Sequence, residues 1–231
     1  GVIELCGADN VTIDGSITVG GTSQDLTIST GSTSNTVMAC VRLAGGTTSP
    51  ALGCNNITIK NCKLVGNATS TSYTGVCGIA AASAYSSATS TGAFTIAGSS
   101  ADPDNVTITN NLITKCYYGI YFKATSGNTA DNLVIKGNTI GSATAGSEVL
   151  WKGIDLQYTS TATNAGGIID GNDIQVKSTA GDLAGITLTN CTNTIVRGNK
   201  IHDVINNNSF GYGCYGINLL TTNSGVEISN N

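Results

Sequence analysis

The sequence predicts an all-β fold, a right-handed parallel β-helix of about seven coils, and three observations carry that prediction. Two kinds of short apolar segment recur along the whole chain. Asparagines stand at a fixed offset from one of them. The composition joins many Val, Ile and Thr to 30 Gly, while only 10% of residues are charged and two are Pro. Disordered chains are rich in charge or Pro and poor in β-branched residues, so this composition favours strands over a flexible linker.

The first segment is NVTIDG at 10–15. It returns as NITIKN (56–61), NVTITN (105–110), NLVIKG (132–137), GGIIDG (166–171), TIVRGN (194–199) and GVEISN (225–230). Aligned, these put Ile13, Ile59, Ile108, Ile135, Ile169, Val196 and Ile228 in one column, at steps of 46, 49, 27, 34, 27 and 32 residues. A fixed unit repeated at such steps must be read as stacked copies.

The second segment is an apolar-x-apolar triplet, usually after Gly: VIEL, CVRL, GIAA, GIYF, GIDL, GITL and GINL. Ile3, Val41, Ile79, Ile120, Ile154, Ile186 and Ile217 form one inward column. Leu5, Leu43, Ala81, Phe122, Leu156, Leu188 and Leu219 form another, two places on. Period-2 alternation marks a strand with one buried face, and equivalent strands stacked in one direction make parallel sheets. Helical solenoids need apolar residues at i, i+3, i+4 and i+7, and these segments are too short and too Gly-rich for that. The leucine-rich frame L-x-x-L-x-L-x-x-N is absent.

Three residues after the first column come Asn111, Asn138, Asn172, Asn199 and Asn231, with Ser16 and Cys62 in the first two coils. Asn tolerates left-handed turns, and stacked amides bond from coil to coil, so an asparagine ladder is expected. Two residues later Leu64, Ile113, Ile140, Ile174 and Ile201 return to the core.

The alternation of NVTITNNLITKCYYGIYF and NLVIKGNTIGSATAG with GI-x-L strands resembles the right-handed parallel β-helix repeats of large secreted surface proteins of Bacteroidota. In that family the β-helix is a passenger region, often followed by a sorting domain for type IX secretion. The resemblance therefore implies an extracellular or cell-surface location. The chain is expected to be one β-helix domain over 1–231, a fragment of a longer protein, because no capping element is visible at either end.

Net charge is −4 with ten scattered Lys and Arg, so no basic stripe for nucleic acid exists. No apolar run reaches the ~18 residues that span a bilayer, and membrane insertion is not expected. Outward charges pair by register instead: Asp14 with Lys60, Asp170 with Lys136 and Arg197, Asp173 with Lys200, and Glu4 with Arg42. Eight Cys (6, 40, 54, 62, 77, 116, 191, 214) show no C-x-x-C spacing, which leaves buried thiols and disulfides both open.

Insertions fall at Ser83 to Asp104, Gly66 to Thr74 and Asn206 to Tyr215, and loops on rigid scaffolds are where binding residues sit. Aromatics are the best binding candidates, since sugars stack on them: Tyr117, Tyr118, Tyr121 and Trp151 as one group, Phe210, Tyr212 and Tyr215 as a second. Tyr121 is expected outward and Phe122 inward. No cofactor is expected. Ca2+ is the cation that the D-P-D-N turn (Asp102, Asp104) would take, although two acids in a turn more often end a loop.

Glycoside hydrolysis needs paired carboxylates, and no Asp-Asp dipeptide, N-T-D, G-H-G or R-I-K segment is present. A calcium-dependent lyase needs a carboxylate cluster beside an Arg base, but Arg197 has one Asp per neighbouring coil. His202 is the only histidine, and in an extended strand it cannot easily pair with Asp203, because adjacent residues face opposite ways. The sequence thus favours a non-catalytic structural or adhesive segment of a surface protein. Its partners would be surface glycans, other surface proteins and flanking domains of its own chain. The alternatives are a polysaccharide-binding or pectate-lyase-like module and a self-assembling filament subunit.

Overall fold

The computed structural model describes residues 2–31, 37–45, 53–82, 103–159 and 167–231, and these form a parallel β-helix. The predicted insertion from Ser83 to Asp104 lies outside the described residues except for Pro103 and Asp104, and Asp102 lies outside with it.

Three parallel sheets run the length of the stack. Sheet A holds β1 (Ile3–Cys6), β4 (Met38–Ala44), β7 (Val76–Ala81), β10 (Cys116–Lys123), β13 (Val149–Gln157), β16 (Leu183–Thr189) and β19 (Cys214–Leu220). Sheet B holds β2 (Thr12–Asp14), β5 (Thr58–Lys60), β8 (Thr107–Thr109), β11 (Val134–Lys136), β14 (Ile168–Asp170), β17 (Ile195–Arg197) and β20 (Glu227–Ser229). Sheet C holds β3 (Leu26–Ser29), β6 (Cys62–Val65), β9 (Leu112–Thr114), β12 (Thr139–Ile140), β15 (Asp173–Ser178) and β18 (Lys200–Asn206). One strand from each sheet makes a coil, and each strand bonds to its equivalent one coil away.

The predicted columns are the observed registers. In sheet B, Ile135 lies over Ile108 on one side and Ile169 on the other, and in sheet A Ile120 lies between Ile79 and Ile154. The residues returning to the core form sheet C, where Leu64, Ile113, Ile140, Ile174 and Ile201 stack in order. Two strands per coil were plain in the sequence, and this third one completes the tube.

The core fills because the inward columns are aliphatic. Ile59, Ile108, Ile135, Ile113, Ile140, Ile120 and Phe122 have no accessible surface. Each buried aliphatic side chain of this size contributes about 1.5–3 kcal/mol. All eight cysteines are free thiols, six of them buried. Loss of hydration pushes the Cys40 thiol up to about 12 and drives Cys77 and Cys116 upward too, so these sulfurs act as small apolar residues.

The glycines within the sheet A strands have a steric cause. A Cβ on Gly153 would stand 2.5 Å from Ile174 Cγ2 and 2.6 Å from the Gly185 carbonyl oxygen. Gly78, Gly119 and Gly185 meet the corresponding methyls of Ile113, Ile140 and Ile201. Sheet C's isoleucine column occupies the space that side chains there would need.

Candidate functional site

Asparagines join sheet B to sheet C in a continuous ladder, as expected. Asn172 Nδ2 donates to Ile135 O in the preceding coil at 3.0 Å and to Asn199 Oδ1 in the next at 2.8 Å. Its Oδ1 accepts from both Asn138 N and Nδ2 at 2.9 Å. Asn111, Asn138 and Asn199 repeat this pattern, and Asn231 receives the last rung. Cys62 caps the other end by donating its backbone N–H to Asn111 Oδ1 at 3.0 Å.

One expectation needs correction: the ladder asparagines are not the left-handed residues. Positive φ falls one place earlier, at Asn61, Asn110, Gly137, Gly171, Gly198 and Asn230. The preceding residue makes the turn, which leaves the buried asparagine free to bond along the stack.

A second ladder runs at the entry to sheet B. Asn55 N donates to Asp9 Oδ1 at 2.8 Å, Asp104 N to Asn55 Oδ1 at 3.0 Å, and Asp131 N to Asp104 Oδ1 at 2.8 Å. Asp104, a calcium candidate by sequence, thus holds a neighbouring coil's backbone. Among the described residues no group of three or more His, Cys, Asp or Glu could hold a metal ion.

The outward charges pair as register dictates. Lys60 Nζ lies 3.1 Å from Asp14, Lys136 Nζ 3.3 Å and Arg197 Nη2 3.5 Å from Asp170, Lys200 Nζ 3.3 Å from Asp173, and Arg42 Nη1 3.5 Å from Glu4. The Asn61 amide, the Ser16 N–H and Lys60 together pull the Asp14 carboxyl down to about 2. Such a carboxylate stays ionised and makes a poor general acid.

Tyr117, Tyr118, Tyr121 and Trp151 do come together. Ring centroids stand 5.4 Å apart for Tyr117 and Tyr118, 4.7 Å for Tyr118 and Tyr121, and 5.1 Å for Trp151 to both Tyr117 and Tyr118. Tyr121 and Phe122 take the expected directions, Tyr121 in the column with Asp155 and Thr187, Phe122 in the core column with Leu156. Yet the three tyrosines are buried, so they are no open platform.

The same face holds Lys152, Asp155 and Thr187, which the sequence did not single out. Arg42, Ala80, Tyr121, Asp155 and Thr187 follow one another on sheet A's outward column and are at most 2% exposed. Lys152 Nζ lies 3.2 Å from Asp155 Oδ2 and 4.8 Å from the Trp151 ring centroid. Three residues apart yet paired, Lys152 and Asp155 must project on one side. Burial raises the Asp155 carboxyl against the pull of Lys152, and burial first, then Asp155, raises the Tyr118 and Tyr121 hydroxyls. Trp151 Nε1 and Thr187 Oγ1 are buried without a hydrogen-bond partner.

Replacing Lys152 by Met would strand a buried carboxylate, and stability at neutral pH is expected to fall by about 3–5 kcal/mol. Because the Asp155 carboxyl is raised in the fold, protonation favours the folded state, so the deficit should narrow as pH falls through that raised value. Urea melts of parent and variant at several pH values test this.

The second aromatic group is open. Phe210 is 80% exposed, Tyr212 and Tyr215 are exposed, and the Phe210 and Tyr212 rings stand 6.4 Å apart. Phe210 and Tyr212 sit on the loop between β18 and β19, and Tyr215 is the second residue of β19.

His202 departs from expectation. Its Nδ1 lies 2.9 Å from Asp203 Oδ2, and its Nε2 lies 2.7 Å from Asp173 Oδ1 one coil back. The pair forms because β18 is not evenly extended: Gln175 pairs with His202 but Val176 with Val204, and Asp203, at φ +51°, is the extra residue of a bulge.

Residues 51–231 fit a family model described as a right handed beta helix region. Searches of curated proteins and of solved structures found no match.

Proposed function

The chain belongs to the right handed beta helix region family, and from that premise we propose that it is a non-catalytic structural segment of a large secreted surface protein, a stiff spacer carrying contact loops. One observation supports this most. The polar side chains from which a site would be built are instead engaged from coil to coil: two ladders of Asn and Asp, and ion pairs on all three sheets. The surface ion pairs are each modest, and together with the buried Asn ladder they resist bending and shearing of the stack.

A glycan-binding reading is the rival, and the exposed Phe210 and Tyr212 favour it, because aromatic rings at a surface take up sugar faces. Incubating the chain with acidic and neutral polysaccharides separates the two. The structural reading expects no new reducing ends, no unsaturated products and no retained glycan. Cleavage overturns it in favour of an enzyme. Binding that is lost in Phe210→Ala and Tyr212→Ala overturns it in favour of a glycan-binding module.

A further inference from the structure

The bulge in β18 sets His202 between two carboxylates, one of them in the preceding coil. A neutral imidazole carries one N–H, yet both ring nitrogens of His202 face carboxylate oxygens at hydrogen-bond distance. Only a doubly protonated ring donates to both. Gln175 Nε2 also approaches both ring nitrogens at 3.2 Å, and its Oε1 is buried without a partner. Equidistant from both nitrogens, the Gln175 carboxamide lies over the ring face and senses the ring's charge without taking either N–H.

The charged groups around the ring are few. Asp173 and Lys177 come from β15, and Lys200 and Asp203 from β18. The flanking turn at 141–147 carries no charge. Asp173 already has Lys200 at 3.3 Å, whereas among the described residues Asp203 has no second cation at salt-bridge distance. Asp203 is therefore the carboxylate that a neutral His202 would give up. It lines a cleft of about 210 Å³ with Ser142, Ala143, Gln175, Lys177 and Ile205.

We propose that His202 is a proton-operated clamp: protonated, it ties the β18 bulge to Asp173 of the preceding coil, and neutral, it releases Asp203 into the cleft beside Lys177. The cleft then gains a free carboxylate as pH rises and loses it as pH falls. Asp203 and Asp173 raise the His202 pKa, so the clamp's contribution is complete below the ordinary histidine range and is lost as pH rises through the folded value.

Because His202 is the only histidine, its Cε1–H resonance is unambiguous in the full 231-residue chain. A proton NMR titration should give a midpoint above 6.5, with the Gln175 carboxamide signals shifting at that same midpoint. Asp203→Asn should lower the midpoint by roughly one pH unit, a tenfold loss of proton affinity, and adding Asp173→Asn should lower it further. Both carboxylates are at the surface, and methyl spectra report whether each variant keeps the fold. If the double variant does not fold, the parent and Asp203→Asn midpoints decide. A parent midpoint at or below 6.5, or one that Asp203→Asn leaves in place, overturns the clamp.

Discussion

Asn172→Ala is expected to destabilise the chain by about 3–5 kcal/mol, far more than a polar-to-Ala change at a surface. The substitution removes one side chain and orphans several groups at once. Asn138 loses the acceptor of its N and Nδ2, and the Ile135 carbonyl and Asn199 Oδ1 each lose a donor. All lie where water does not reach, so each lost partner costs desolvation that nothing returns. Asn172→Asp should be no rescue, because a carboxylate keeps the acceptors but turns a charge toward the Ile135 carbonyl. Asn207→Ala, at an exposed loop position, should stay within about 0.5 kcal/mol. Urea midpoints for the three variants give the comparison.

Gly153→Ala is the second large effect, about 3 kcal/mol. A single methyl is ordinarily harmless in a strand, but here it would enter space held by Ile174 Cγ2 and the Gly185 carbonyl. The carbonyl belongs to the next strand of a parallel sheet and the isoleucine to a filled column, so neither retreats without breaking register. Gly181→Ala is the matched control, since nothing lies within 4 Å of a Cβ built there. A thermal melt should separate the two variants by several degrees.

The fold was legible because a stack makes each sequence column a physical column. Ile13 to Ile228 in one segment and Ile3 to Ile217 in the other were aligned by residue type alone, and the registers follow them. The third sheet was visible only from Leu64 onward. Its first strand, β3, was hidden because residues 16–25 are inserted before it: Leu26, not Ser16, pairs with Cys62, and Ile28 pairs with Leu64.

The candidate site was less legible, for three physical reasons. Alternation says that Tyr121 and Asp155 point outward, but it does not say that they are buried there. The second ladder mixes Asp9, Asn55, Asp104 and Asp131, so no single letter repeats, and its acids resemble a cation site until the backbone donors are seen. The His202 and Asp203 pair depends on one inserted residue, and a rule for extended strands fails wherever a bulge turns the chain. The ion pairs were found because they need nothing beyond register.

Polar side chains in this chain serve the stack, and exchange of side-chain carboxamide protons tests that most directly. In deuterated buffer, the NMR signals of the Asn111, Asn138, Asn172 and Asn199 carboxamides should persist together, decaying only as the coils open, while that of exposed Asn207 disappears at once. Ladder carboxamides that exchange as fast as Asn207 would mean that the rungs are not formed, and would contradict the account.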